Sequence, residues 1–134
     1  MDPDGSCPAE LRRTKAFSYS LFNLNAWTAL FEIARKAGED LWSFTLPDGR
    51  GIRLGIEFLL PYLENPYTWK WPQIDGWVPA DQPALQLGGL RLGWDRCREA
   101  NKLRRGEARA VREQGVMGPQ CLLPGYEESR AVEA

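Results

Sequence analysis

The chain contains no histidine and only three cysteines among its 134 residues. The absence of histidine removes the most common general base and the most common metal ligand of proteins. Cys7, Cys97 and Cys121 are odd in number and widely spaced, so they form neither a paired metal motif nor a disulfide framework, and we interpret them as buried or incidental thiols. We therefore predict no metal site and no redox cofactor.

Long apolar runs and a strong net charge are also absent. No segment approaches the ~20 apolar residues that span a bilayer, and residues 1–5 show neither the basic stretch nor the apolar core of a signal peptide. The 17 basic and 18 acidic side chains leave a net charge of −1, so any attraction of an acidic polymer must be local. We expect neither a nucleic-acid partner nor a membrane partner.

A strong helical pattern is present between residues 6 and 38. A hydroxyl and an early proline at residues 6–8 favour a helix start, and Gly38 follows a basic last turn, where a left-handed C-cap is needed. Between them, apolar positions recur at spacings of three and four, which predicts a long amphipathic helix. These positions are Phe17, Leu21, Leu24, Thr28 and Phe31.

Weaker patterns predict more helices after this one. Residues 50–62 and 82–103 are each typical of one helix, and residues 107–114 favour a short one. Residues 64–83 form a connection rich in proline and tryptophan, and a loop of this length is often functional. Helical hairpins of this kind bury one face each and need neighbours to close a core.

The start of the first helix carries the residues that point to chemistry. Tyr19 and Asn23 are four positions apart and therefore share a helix face. Three basic residues, Arg12, Arg13 and Lys15, precede the tyrosine. Nearby positive charge favours phenolate over phenol, which makes Tyr19 a candidate for proton transfer on an acidic substrate. The alternative is an aromatic residue at the edge of the core beside a solvated basic turn.

Residues 13–24 resemble the Arg-Thr-Lys…Tyr-Ser-x-Phe-Asn-Leu segment of the alginate lyase family, polysaccharide lyases with an α/α-toroid fold. The likeness is to the C-terminal part of that fold and covers roughly two thirds of the chain, through residues 40–42, 46–51 and 57–62 and more weakly through residues 82–93. It implies an all-α fold in which antiparallel helical hairpins form part of an incomplete (α/α) toroid.

The resemblance also implies the reaction, a β-elimination at a uronic acid residue with Tyr19 as catalytic acid/base. An arginine suits the neutralisation of the adjacent carboxylate, because its planar fork donates two hydrogen bonds and keeps its charge. The motif favours Arg13 as this second catalytic residue. Arg12 remains the alternative, because it lies seven positions before Tyr19 and would share its face in a continuous helix. Lys15 shares that face too, and we predict that both Arg12 and Lys15 bind substrate.

Three further residues are predicted to bind substrate. Asn23 either orients a sugar hydroxyl or makes a local hydrogen bond between helices. Trp69 and Trp71, together with Trp77, offer flat apolar ring faces that match the C–H faces of a pyranose. The alternative for the tryptophans is that they pin the long loop to the helices.

These features predict a partial alginate-lyase-like helical domain at residues 1–123, followed by a disordered tail at residues 124–134. In the resembled family, a histidine and an asparagine from an earlier helix complete the active site, and neither can be assigned in this chain. We therefore expect weak or no cleavage of alginate, or of a related uronic-acid polymer, by the chain alone. The alternative is a non-catalytic module that binds an acidic oligosaccharide or a helical partner.

The expected partner follows from the same resemblance and is an acidic polysaccharide. Because each hairpin buries only one face, we also expect self-association through exposed apolar helix faces. Full-length members of the resembled family are periplasmic or secreted, whereas no signal peptide is recognised in this chain.

Overall fold

The computed structural model describes residues 1–75 and 82–114, without the side chains of Val111 and Gln114. The helices within these ranges are α1 (Pro8–Leu11), α2 (Ala16–Lys36), α3 (Ile52–Glu64), α4 (Pro83–Arg91) and α5 (Asp95–Gln114), with a 3-10 turn at Pro66–Thr68. The same ranges contain no β-strand, and no helix in them is long and apolar enough to cross a membrane. Trp77 and the predicted tail at residues 124–134 lie outside the described residues.

Helix α2 confirms most of the predicted first helix but begins later than the pattern indicated. The chain forms one turn of helix in α1, leaves the helical path, and re-enters a helix at Ala16. The amide of Ala16 donates to the carbonyl of Pro72 at 2.9 Å, so a contact distant in sequence replaces the local bond of a continuous helix. At the other end, Lys36 closes α2 and Gly38 adopts φ +93°, as predicted for the C-cap.

The prediction of one continuous helix over residues 82–103 is wrong, because the structure contains two helices there, α4 and α5. Gly93 adopts φ +68°, a left-handed conformation that ends the first helix and redirects the chain. The predicted short helix at residues 107–114 is the continuation of α5 and not a separate element. Helix α3 continues to Glu64, two residues beyond the predicted end at residue 62, and Pro61 lies inside its last turns.

The core forms where α2, α3, α4 and α5 meet. The five apolar-face positions predicted for α2 are all buried. On α3, the buried apolar residues include Ile52, Ile56, Leu59 and Leu60. Leu85 of α4 and Cys97 of α5 complete the cluster, and burial raises the pKa of the Cys97 thiol to about 11.

Glu32, in the C-terminal part of α2, makes hydrogen bonds to three parts of the fold. Its carboxylate accepts two hydrogen bonds from Arg91 of α4, both at 2.8 Å, in a bidentate ion pair. It also accepts from the indole of Trp42 at 3.0 Å and from Arg35 at 3.2 Å. These donors, Arg91 foremost, lower the pKa of Glu32 to about 2.

The depressed pKa of Glu32 predicts acid sensitivity. Ionised Glu32 stabilises the fold fully above its pKa in the unfolded chain, 4.5. This stabilisation is lost as the pH falls towards its pKa in the folded chain, about 2. Urea unfolding measures how far the free energy of unfolding falls between about pH 6 and about pH 3. This fall should be about 1–2 kcal/mol smaller for Glu32→Gln than for the wild-type chain.

The matched control is Glu57→Gln, which removes an exposed pair with Arg53. This control should retain the acid slope of the wild type, since exposed pairs contribute little. Identical slopes for the wild type and Glu32→Gln would show that the Arg91 pair does not link the helices energetically.

Candidate active site at the start of helix α2

Tyr19 lies in the first turn of α2, and its side chain is partly buried. The guanidinium of Arg13 stacks on its ring, with Cζ 3.8 Å from the ring centroid. Such a cation–π contact is favourable and holds a fixed positive charge beside the phenol. The sequence predicted a basic group near Tyr19, and the structure places Arg13 there.

Arg12 and Lys15 occupy different positions from those that a continuous helix would give. Because α2 begins at Ala16, Arg12 caps the end of α1 as an exposed residue, and the argument that it shares a helix face with Tyr19 fails. Lys15 stands at the N-cap of α2 and forms an ion pair with Asp75. The hydrogen bond that Lys15 donates to Asp75 raises the pKa of Lys15, and the charge of Asp75 and the nearby Tyr19 add to this effect.

The loop from residue 72 to residue 75 lies along the start of α2. The amide of Ile74 donates to the carbonyl of Thr14 at 3.0 Å, and Lys15 and Gln73 form an isolated antiparallel bridge. The Gln73 side chain enters the first turn of α2 and bonds to Ser18 at 2.9 Å. Sequence reasoning missed both Gln73 and Asp75. The only signal was the unusual length of this connection, which predicts function but no particular residue.

Asn23 lies one turn beyond Tyr19 on α2. Burial raises the pKa of the nearby Cys7 thiol, and the Asn23 carboxamide lowers it by a smaller amount. Asn23 and Cys7 also line one narrow cleft between the N-terminal segment, α2 and α3. Asn23 therefore lies beside the N-terminal segment, and its role in orienting sugar stays a prediction.

Trp69 is only 4% exposed, so its ring faces are covered by protein. It packs edge-on against Phe17 with centroids 4.8 Å apart and against Tyr62 at 5.0 Å. This arrangement corrects the sugar-stacking interpretation of Trp69, because a ring that packs in the core has no free face. Trp71 lies 4.7 Å from Trp69 and is partly exposed, so its role in binding stays a prediction.

Comparisons with known proteins identify the family of this chain. The family model described as alginate lyase matches residues 1–69, which include Arg13, Tyr19 and Asn23. The chain belongs to the alginate lyase family. No curated protein matches the sequence.

A solved alginate lyase from Bacteroides ovatus resembles the chain in structure, with a TM-score of 0.69 and 29% sequence identity. The match covers 77% of this chain and 28% of the Bacteroides ovatus lyase, so the chain spans well under half the length of that relative. This likeness confirms the predicted fold, with antiparallel helical hairpins that form part of an incomplete (α/α) toroid.

The burial of Trp69 leads to a stability prediction. Trp69→Ala should lower the free energy of unfolding by about 3–5 kcal/mol, because it leaves a large cavity beside Phe17. Urea denaturation measures the loss, and Trp71→Ala is the matched control, with a smaller loss expected from a partly exposed ring. Equal, small losses for both variants would remove Trp69 from the core and restore the sugar-stacking interpretation.

Proposed function

We propose that this chain takes part in the β-elimination cleavage of alginate or a related uronic-acid polymer. In this reaction a base removes the C5 proton, the electron pair forms the C4–C5 double bond, and the C4–O glycosidic bond breaks with protonation of the leaving oxygen. Tyr19 handles the proton, since a phenol can both accept and donate it. Arg13 neutralises the uronate carboxylate, which stabilises the charge that develops on the sugar.

The observation that carries this proposal is the stacking of Arg13 on Tyr19 at 3.8 Å. Arg12 and Arg13 are two exposed cations before α2, whereas Lys15 is paired with Asp75, in a chain whose net charge is −1. A local positive cluster is what an acidic sugar requires from such a chain. Arg12 is the second choice for the carboxylate, since it is exposed beside Arg13.

The proposal also predicts that the chain alone is a poor catalyst. It spans 28% of the related lyase, and it lacks the histidine that the family resemblance leads one to expect. Removing one preorganised donor from an active site costs on the order of 10²–10³ in rate. If the substrate is such a polymer, the complete protein acts in the periplasm or outside the cell.

The role of Tyr19 can be tested in a chain completed by the remaining toroid helices. Product formation is followed by the ultraviolet absorbance of the unsaturated uronate. Tyr19→Phe keeps the ring and removes the titrating hydroxyl, so kcat should fall by at least about 10²-fold while KM changes little. Tyr67→Phe, a tyrosine on the 3-10 turn, is the control and should retain wild-type rates. Near-normal turnover by Tyr19→Phe on every uronate polymer cleaved would contradict the assignment.

A second candidate function, a non-catalytic binding or interaction module, is favoured by the outer face of α2. Residues 16–31 contain no charged side chain. Phe22 and Ile33 are 73% and 66% exposed, and Leu30 is exposed on the same helix. A helix that is apolar on most sides is normally buried in a larger core. We propose that this face associates with a second copy when nothing else covers it.

Sedimentation at several protein concentrations tests this association. The wild-type chain should form dimers or larger species and bind an apolar dye, because exposed apolar patches favour association. Leu30→Lys with Ile33→Lys should shift it to monomer, whereas Leu103→Lys, at an exposed leucine on α5, should not. A compact monomer without dye binding at every concentration would count against an uncovered toroid face.

A further inference from the structure

We propose that Gln73 is a positioning residue of this site: its carboxamide fixes the first turn of α2 and thereby sets Arg13 against Tyr19. A role of Gln73 in catalysis rests on the proposed function. The geometry on which it stands is independent of that function. Gln73 itself touches neither the phenol nor a substrate group in this arrangement and acts through the backbone that carries them.

The Gln73 side chain is 4% exposed and is fully engaged in hydrogen bonds. Its Oε1 accepts from the backbone amides of Phe17 and Ser18, at 3.1 and 3.4 Å. Its Nε2 donates to the hydroxyl of Ser18 at 2.9 Å and to the carbonyl of Asp75 at 3.3 Å. A carboxamide offers two donor hydrogens and an oxygen with two lone pairs, so these four contacts use all of its capacity.

Helix α2 needs this contribution because it lacks a local cap. The first amides of a helix have no partner inside the helix, and the N-cap residue, Lys15, makes no side-chain capping bond. Gln73 supplies the acceptor from 56 positions further along the chain. The common capping residues are serine, threonine, aspartate and asparagine at the helix start. In this chain a glutamine distant in sequence accepts the hydrogen bonds instead.

The same contacts fix the backbone that carries Arg13. Thr14, its neighbour, accepts from the amide of Ile74, and Ala16 donates to the carbonyl of Pro72. The segment before α2 is therefore held by the loop on both sides of Gln73. Arg13 belongs to this segment and Tyr19 to the helix, so the loop sets their relative position. Without the loop, only the short backbone segment between Arg13 and Tyr19 would restrain their relative position.

Nuclear magnetic resonance of the full chain tests the proposal without any sugar. The Arg13 guanidinium protons lie over the Tyr19 ring and should therefore resonate upfield of ordinary arginines. In Gln73→Leu, the Phe17 and Ser18 amides should exchange with solvent at least tenfold faster, and the Arg13 signal should return towards its ordinary position. Gln73→Glu keeps acceptor oxygens for the two amides but loses the donors to the Ser18 hydroxyl and the Asp75 carbonyl, so both readouts should lie between those of the wild type and Gln73→Leu.

Gln82→Leu is the matched control, since Gln82 is also a buried glutamine, but its side chain accepts a hydrogen bond from Asn25 instead. It should destabilise the fold and leave the Arg13 signal unchanged. If Gln73→Leu accelerates exchange but leaves the Arg13 signal in place, Gln73 is only a helix cap and the proposal is wrong. The same holds if Gln82→Leu moves the Arg13 signal equally.

Gln73→Asn covers the case in which Gln73→Leu does not fold. It retains the carboxamide but is one methylene shorter, so the chain should fold while both readouts move in the direction expected for Gln73→Leu. Unchanged readouts in Gln73→Asn would overturn the proposal. A failure of Tyr19→Phe to lower lyase activity would overturn the proposed function instead and would leave these spectroscopic results untouched.

Discussion

The arrangement of the candidate site depends on the contact between the start of α2 and the loop from residue 72 to residue 75. Helix α2 has no capping side chain of its own, so its exposed amides are satisfied by Gln73 and by the carbonyl of Pro72. This contact decides where the helix begins. It also decides that Arg13 lies before the helix and stacks on Tyr19, instead of following the helical spiral.

Sequence reasoning succeeded where short-range physics decides the outcome. The apolar spacing of α2 is local, and so is the glycine cap at Gly38, so both were predicted correctly. The start of α2 was missed because hydrogen bonds from a distant loop replace local ones. Trp69 was assigned to a sugar surface because no pattern in the sequence distinguishes a ring that stacks on sugar from one that packs on Phe17.

The rest of the fold explains why this helix has two kinds of surface. One face of α2 packs on α3 and α4, and the Glu32–Arg91 pair fastens its C-terminal part to α4. The opposite face presents Phe22 and Ile33 to solvent. The match covers 28% of the related lyase, and a helix that is apolar on most sides is normally buried in a larger core. Helix α2 thus carries both the candidate site and the exposed apolar face.

The central claim is that the basic turn before α2 recognises a uronate sugar. The most direct test is a titration of the isotopically labelled chain, followed by nuclear magnetic resonance. The ligand is a uronate trisaccharide that has no unsaturated end. The account predicts saturable shifts that centre on Arg13, Lys15 and Tyr19, and that weaken with salt because charge attracts the ligand. Shifts confined to the basic residues of α5, such as Arg105 and Arg109, or no saturable shifts at all, would contradict it.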